Sequence, residues 1–291
     1  MRDEGVETGA INSILRNQSG AAAVKESGVR NVVLHGLLAA EYKHIVPNLE
    51  RVTLKAGQQL YRAEQKIEAV YFPEDAVIAM IDKMKGGRTV EVGIIGREGM
   101  VGINIFLGGA ITADQAIVQI AGRATRMRAS VLRTETYFGS PLQQLLLEYA
   151  RTFLAVISQS VACSQHHSIE QRLSRLLLSL RDYTQAREIP LDQASIAALL
   201  GVRRAGVSVA ASRLQEQGVL TYRRGVIRVV DGRSLEKKTC ECRQFIKAQY
   251  AQFQRSVAAR STRSSRDRAL PVWKRKTPSG ARRLRRGRAN P

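Results

Sequence analysis

The residues with the clearest chemistry lie between 192 and 220, where an arginine begins a short amphipathic segment. Arg204 stands at the N-terminal end of a predicted helix, and an arginine placed there can donate two parallel hydrogen bonds to guanine O6 and N7 in the DNA major groove. The residues predicted on the same face, opposite the apolar side, are Ala205, Ser208, Val209 and Ser212. We predict that Arg204, Ala205, Ser208 and Val209 read bases and that Ser212 contacts phosphate.

Two short helices meeting at Gly201 would position these residues. Gly201 can adopt the left-handed conformation of a tight corner, and the small side chain of Ala197 lets the helices cross closely. Apolar side chains recur at helical spacing on one face of each helix, namely Ile196, Leu199, Leu200, Val207, Ala210, Ala211 and Leu214. This spacing indicates a helix-turn-helix with Ala197, Gly201, Val207 and Leu214 in its core. The alternative is an ordinary helical hairpin with a solvated arginine.

A basic β-hairpin is predicted directly after these helices. Residues 222–224 and 226–230 form two short β-like runs around Gly225. A hairpin of this kind after a helix-turn-helix is typical of the wing of a winged helix domain. We predict that the wing arginines and one helix-end arginine contact phosphates, which position a protein without reading sequence: Arg203, Arg223, Arg224 and Arg228. The alternative is a solvated surface hairpin.

The helix before this unit begins with a capping box, in which Ser168 is followed by Gln171. His166 and His167 lie just before it, and no third ligand is spaced nearby, so we predict cap or loop histidines and no metal site. Cys240 and Cys242 form a single Cys-x-Cys in the last predicted helix. Redox sensing and buried structural thiols are both open for this pair.

Charge and composition restrict the class of protein. The chain has 291 residues and a net charge of +21, and 13 Lys or Arg residues against the single acid Asp267 lie beyond Gln254. We predict that residues 255–291 form a disordered basic tail that either strengthens DNA binding or is dispensable. Three cysteines, no long apolar run and no secretion signal favour the cytoplasm.

Catalytic motifs are not found in the sequence. It contains no nucleophile elbow, P-loop, zinc motif or pair of catalytic carboxylates. Glu91 and Glu98 flank strand-like residues, and we interpret them as surface positions. No enzyme is therefore predicted.

The front half of the chain has a sequence pattern typical of β-strands rather than helices. Residues 52–135 contain short β-rich runs, including a hairpin signal at Gly86-Gly87, and predict a barrel or jelly roll. A long apolar helix follows, whose stripe contains Leu142, Leu145, Leu146, Tyr149, Phe153, Val156 and Ile157, extended by Ser160 and Cys163. We predict that this stripe pairs with its twin in a homodimer, and packing against its own barrel is the alternative.

This order of parts resembles the Crp/Fnr family of bacterial transcription regulators over roughly residues 31–254, most specifically in LLGVRRAGVSVAASRLQEQGVL. The resemblance implies an α+β fold with an N-terminal β-roll of the jelly-roll-like, cyclic-nucleotide-binding type, a dimerisation helix and a C-terminal winged helix-turn-helix. It also implies a homodimer on palindromic double-stranded DNA, with recognition helices ~34 Å apart, and RNA polymerase as a partner. The expected boundaries are 1–30 (disordered), 31–139 (β-roll), 140–165 (dimerisation helix), 166–254 (winged helix) and 255–291 (tail).

Departures from the family pattern are informative. The candidate effector pocket is the stretch Gly99, Met100, Val101 and Gly102, in which Met100 stands where cyclic-nucleotide members have a ribose-binding Glu. No arginine follows in residues 108–116 to neutralise a phosphate, so we predict no conventional cyclic AMP binding, no cofactor and an unknown effector. No cysteine precedes Cys163, which excludes an N-terminal four-thiolate iron–sulfur site.

The recognition segment also departs from the family. Ala205 replaces a Glu that the family often has after its arginine, and Ala205 accepts no hydrogen bond from cytosine N4, so the operator should differ from that of the cyclic AMP activator. The alternative function is a non-specific, chromatin-like DNA-binding protein that uses the wing and the tail. Such a protein would show a DNA affinity that falls steeply with salt concentration and would have no preferred site.

Overall fold

The computed structural model describes residues 29–84 and 89–263. The helices are α1 (Val32–His35), α2 (Ala39–Ile45), α3 (Ile103–Phe106), α4 (Ala129–Glu135), α5 (Pro141–His166), α6 (Ile169–Thr184), α7 (Gln193–Leu200), α8 (Arg204–Glu216), α9 (Gly232–Lys237) and α10 (Cys242–Arg263). The strands are β1 (Glu50–Leu54), β2 (Gln59–Tyr61), β3 (Ala69–Pro73), β4 (Val77–Lys83), β5 (Thr89–Ile95), β6 (Gln115–Ile120), β7 (Gly122–Arg128), β8 (Glu188–Pro190), β9 (Leu220–Arg223) and β10 (Val226–Val229).

The front half folds into two antiparallel sheets, as its short β-rich runs predict. One sheet has the strand order β1-β7-β3 and the other has the order β2-β6-β4-β5. Their inward residues, such as Phe72, Ile78 and Met127, share one apolar core with the first half of α5. Lys83 pairs with Thr89 across β4 and β5, whereas the hairpin residues Gly86 and Gly87 lie outside the described residues, as do residues 1–28 of the predicted N-terminal extension.

Helix α5 begins at Pro141 after Ser140, whose side chain accepts a hydrogen bond from the Gln143 backbone N–H at 3.1 Å. The apolar stripe predicted as a dimer seam packs within its own chain instead. Leu145, Tyr149 and Phe153 lie in the β-roll core, and Val156 packs on Ile246 and Tyr250 of α10. The expectation about the stripe was therefore wrong, because the β-roll and α10 together cover that face.

The opposite face of α5 carries a second apolar row. Leu147, Leu154 and Val161 are exposed by 53%, 61% and 59%. They are spaced seven residues apart, so they follow one line along the helix. The row has only three apolar residues, fewer than the stripe on the opposite face, so the periodicity of the sequence did not identify it.

The back half is built on α6, which the capping box of Ser168 and Gln171 begins as predicted. Helices α7 and α8 and the three-stranded sheet β8-β10-β9 pack around it. The same apolar core includes the β-roll residues Val77, Ala79, Ile81 and Ile120, together with Leu173 and Leu177 of α6. The two halves of the chain therefore share a continuous core.

Helix α10 packs along α5 and ends at Arg263. Its residues Phe253 and Val257 are buried in the β-roll core, so the first part of the predicted tail, residues 255–263, is helical and the remainder lies outside the described residues. Among the described residues, no single helix has the length and apolarity to cross a membrane. Only α7 and α8 taken together, with a bend of 109° between them, meet that criterion.

Candidate nucleic-acid interface

Helices α7 and α8 meet at a sharp corner. Asp192 caps α7 by accepting a hydrogen bond from the Ser195 backbone N–H at 2.7 Å. Gly201 ends the helix with φ of 63°, a left-handed conformation that favours glycine. The axes of α7 and α8 then differ in direction by 109°. The predicted core residues Ala197, Val207 and Leu214 are buried between these helices and α6.

The outward face of α8 begins at Arg204. Arg204, Ala205, Val209 and Ser212 are exposed along it. Ser208 is only half-buried and its hydroxyl donates to Gln193 Oε1 of α7 at 2.8 Å. The structure therefore brings Arg204, Ala205 and Val209 onto one open face and turns Ser208 toward α7. Their base-reading roles stay predictions.

The start of α8 has no side-chain cap. Arg203 stands before it in an extended conformation and makes no capping hydrogen bond. Backbone N–H groups at an uncapped helix start, together with the positive end of the helix dipole, form a site suited to a phosphate. Arg204 lies close enough to Asp192 to contribute to the lowered pKa of that carboxyl, after the larger effect of the hydrogen bonds from Ser195.

The hairpin after α8 is a tight wing. Arg224 and Gly225 have φ of 49° and 77°, the pair of positive values that a type I′ turn requires. Val226 pairs with Arg223 on the two strands, and the Tyr222 backbone N–H donates to Gln215 Oε1 of α8 at 3.0 Å. The wing is thus held against α8, and the side chains of Arg223, Arg224 and Arg228 are exposed, as is Arg203.

The candidate effector stretch lies between β5 and α3 and is buried. Gly99 O accepts from Asn31 Nδ2 at 2.8 Å, and Met100 O accepts from the Tyr149 hydroxyl at 3.4 Å. The side chains of Met100 and Val101 are fully buried in the β-roll core. A Cβ on Gly99 would collide with Tyr149 Oη, so the glycine permits this close packing. An effector at this stretch, which stays a prediction, would meet backbone rather than these two side chains.

A cavity of about 230 Å³ lies where the β-roll meets α6 and α10, lined in part by Arg97, Glu98, Asp182 and Arg243. Glu98 Oε2 is buried there without a hydrogen-bond partner, and Arg97 Nε is 3.8 Å from Glu98 Oε1. Burial raises the pKa of Glu98 to about 7, and the nearby Asp182 acts in the same direction. The interpretation of Glu98 as a surface residue was wrong, because packing of the two halves buries it in this junction.

The structure also brings together four residues that sequence spacing did not connect. Four ligand atoms lie within 4.8 Å of one another. They belong to Cys163 near the end of α5, His167 in the link to α6, Cys240 just before α10 and Cys242 at the first position of α10. All three thiols are buried, as one of the two interpretations of Cys240 and Cys242 expected. Sequence spacing offers no third ligand for His167, because its partners at 240 and 242 lie more than seventy residues away along the chain.

Residues 171–238 match the family model of the Crp-like helix-turn-helix domain. This part of the chain is therefore similar to Crp-like helix-turn-helix domains, and it is called the Crp-like domain below. The Crp-like domain contains the corner at Gly201, the open face of α8 and the wing. The resemblance to the Crp/Fnr family inferred from the sequence is confirmed by this match and by the fold of solved regulators.

Solved structures of low sequence identity share the fold. FixK2 from Bradyrhizobium japonicum is 16% identical, with a TM-score of 0.57, and the match covers 66% of this chain and 98% of that one. A CRP-family transcriptional regulator from Thermus thermophilus is 16% identical, with a TM-score of 0.55 and coverage of 65% and 95%. The c-di-GMP responsive global regulator CLP from Xanthomonas campestris is 15% identical, with a TM-score of 0.53 and coverage of 66% and 98%. No curated protein sequence matches the chain.

Proposed function

We propose that this protein is a sequence-specific, DNA-binding transcription regulator that acts as a homodimer on palindromic promoter sites. The observation that carries the proposal is the open face of α8, which begins at Arg204 inside a Crp-like helix-turn-helix domain. In such domains the second helix enters the major groove. Arg204 has five N–H donors, of which two can pair with guanine O6 and N7.

The charges around this face support a DNA partner. Arg203 at the start of α8 and the wing arginines Arg223, Arg224 and Arg228 are all exposed. The wing stands beside α8, so its arginines can reach the phosphates that flank a groove holding that helix. These contacts supply affinity and register, while base reading falls to the α8 face.

The exposed row of Leu147, Leu154 and Val161 supports the homodimer. Its seven-residue spacing is that of one position of a coiled-coil heptad. A second copy of α5 would cover all three side chains. A two-fold protein then matches a two-fold operator. RNA polymerase is the partner expected for a promoter-bound regulator.

The β-roll is proposed not to bind cyclic AMP in the conventional way. Met100 fills the core where a ribose-binding carboxylate would be needed. In the loop after α3 the charged residue is Asp114, whose Oδ2 accepts from the Tyr61 hydroxyl at 3.1 Å. A carboxylate repels a phosphate, and a buried phosphate needs a cationic partner.

Footprinting on genomic fragments tests the proposal directly. The full chain is compared without ligand, with cyclic AMP and with cyclic di-GMP, the last because the relative CLP is described as responsive to it. We expect a protected two-fold site that does not depend on cyclic AMP. Diffuse protection at every ligand and salt concentration would overturn sequence-specific function in favour of the non-specific binder. Protection that requires cyclic AMP would overturn the statement about the β-roll.

A further inference from the structure

We propose that Cys163, His167, Cys240 and Cys242 form a zinc site that joins the end of α5, the α5–α6 link and the start of α10. The four ligand atoms lie within 4.8 Å of one another. Three thiols and one imidazole are a donor set that zinc takes in structural sites. Nothing in the proposed DNA-binding function requires this cluster.

The distances suit one tetrahedral ion. Zinc–sulfur bonds of about 2.3 Å give a separation of roughly 3.8 Å between two sulfurs on the same tetrahedral ion. Cys163 Sγ and Cys240 Sγ are 3.5 Å apart, and Cys242 Sγ lies 3.6 Å from His167 Nδ1. These two distances are already those of ligands on a single ion, and because all four atoms lie within 4.8 Å of one another, small side-chain movements would bring the set onto one ion.

The surroundings of the ligands resemble the outer contacts of metal sites. His167 presents Nδ1 to the cluster, and its Nε2 lies 3.1 Å from Glu241 Oε1. A carboxylate that accepts the second imidazole N–H fixes the tautomer in which Nδ1 is free to bind the metal. On the other side, Gln159 Nε2 donates to Cys242 Sγ at 3.0 Å, a contact that a thiolate accepts more strongly than a thiol.

The charge balance also favours an ion. Zinc with three thiolates and one neutral imidazole carries one negative charge. Arg175 and Arg172 of α6 lie near the cluster and interact electrostatically with Cys163, so two cations offset that charge. Binding replaces the three thiol protons by the ion and releases them to solvent.

A disulfide between Cys163 and Cys240 is the competing interpretation of the same geometry. It would use two of the four groups and leave Cys242 and His167 pointing at it without a role. It would also need an oxidant. The zinc site uses all four groups, and it explains why His167, rather than the exposed His166, faces the thiols.

The position of the site gives it a structural role. His167 follows α5 in an extended conformation, with φ of −114° and ψ of 147°, and it separates α5 from the helix that supports the Crp-like domain. Cys240 lies in the short segment between α9 and α10, and Cys242 is the first residue of α10. A metal bound here would tie the α5–α6 link to α10.

Metal content and cobalt spectroscopy test the site on the full chain. Protein purified under reducing conditions is expected to contain one zinc ion per chain. Replacement of zinc by Co²⁺ should give the thiolate charge-transfer band and the intense visible absorption of a tetrahedral ion. The chain has three cysteines in total, so any thiolate–cobalt band reports on this cluster. Zinc-free protein that takes up no Co²⁺ after reduction would overturn the proposal, as would a Cys163–Cys240 disulfide in protein purified with zinc present.

The variant His167→Asn is compared with His166→Asn, its matched control one residue earlier. His167→Asn should lower zinc affinity by about 10-fold or more and shift the cobalt spectrum, whereas His166→Asn should leave both unchanged. Equal effects of the two substitutions would overturn the ligand assignment. Cys242→Ser serves as a second variant, and circular dichroism of each variant shows whether lost binding reflects lost folding. Because metal binding is measured without DNA, its failure is independent of the proposed regulatory function.

Discussion

At the residue scale, two charged side chains of this molecule have opposite environments, one exposed to solvent and one buried. Arg204 is exposed at an uncapped helix start, whereas Glu98 is buried without a partner for one oxygen. The first arrangement lets a side chain meet a ligand without prior rearrangement. The second makes the free energy of unfolding depend on protonation, because burial favours the neutral carboxyl.

Replacement of Arg204 by alanine should weaken operator binding by ~1–3 kcal/mol and relax specificity at one base pair in each half-site. The reason is the loss of two donors to a single guanine. Fluorescence anisotropy on the operator and on its single-base variants measures both effects. Arg133→Ala is the control, because Arg133 is an exposed arginine on α4 of the β-roll and belongs neither to α8 nor to the wing. Equal losses on operator and random DNA would show that Arg204 contacts phosphate instead.

Replacement of Glu98 by glutamine should change how stability varies with pH. Burial raises the pKa of Glu98 from 4.5 to about 7. Between these two pH values the carboxyl is protonated in the folded chain but ionised in the unfolded chain. The stability of the native protein therefore falls as pH rises from the ordinary glutamate range toward and through 7. Glutamine is always neutral, so the variant should gain on the order of 1–3 kcal/mol relative to the native protein between pH 5 and pH 8.

Urea unfolding at several pH values measures this difference. Glu68→Gln serves as the control, because Glu68 is exposed and pairs with Lys66 at the surface. A constant difference between native protein and Glu98→Gln at every pH would contradict the protonation of Glu98.

Residue-level prediction from the sequence succeeded where neighbours in the chain settle the structure. The Ser168–Gln171 capping box, the Gly201 corner and the β-hairpin at Gly225 are all local, and all are present. It failed where the decisive contact is distant. Ser208 is turned by Gln193 of another helix, and His167 meets Cys242, more than seventy residues away. Such contacts depend on how elements pack, which spacing along the chain does not encode.

At the element scale, α5 has two apolar faces with different partners. The sequence predicted the helix and one stripe, and the β-roll core and α10 cover that stripe in the same chain. Sequence periodicity identifies an apolar face but does not say which surface covers it. Leu147, Leu154 and Val161 remain exposed, and they form the face on which the proposed second copy would pack.

Leu154→Lys should convert the dimer to a monomer, because it places a charge in the centre of the proposed seam. Sedimentation velocity measures the change, and operator binding should fall with it. Leu107→Lys is the matched control: Leu107 is exposed by 58% against 61% for Leu154, and it lies in the β-roll after α3. A Leu154→Lys protein that remains dimeric would locate the dimer interface elsewhere.

At the scale of the whole molecule, positive charge is concentrated at one end of the chain. Residues 264–291 carry ten Lys or Arg residues and one acid, whereas residues 1–28 carry three basic and four acidic residues. A basic segment adds affinity for any DNA through counterion release and adds little discrimination. The two terminal segments are equal in length, which makes them a matched pair for deletion.

Deletion of residues 264–291 should weaken binding to operator and random DNA by the same factor and reduce the dependence of affinity on salt. Deletion of residues 1–28 should change neither. The C-terminal deletion is made after Arg263 because Phe253 and Val257 of α10 belong to the β-roll core. Titrations across a salt series measure the slope. A larger loss on the operator than on random DNA would show that the tail contributes to specificity.

The core shared by β4, β6 and α6 makes the chain one cooperative unit rather than two tethered modules. Val77, Ala79 and Ile81 of the β-roll are buried against side chains of the back half. Neither half can melt without exposing the apolar surface of the other, so heating should give a single transition. Operator DNA bound at the proposed α8 interface would contact only the back half, yet by mass action it should raise the melting temperature of the entire chain, β-roll included.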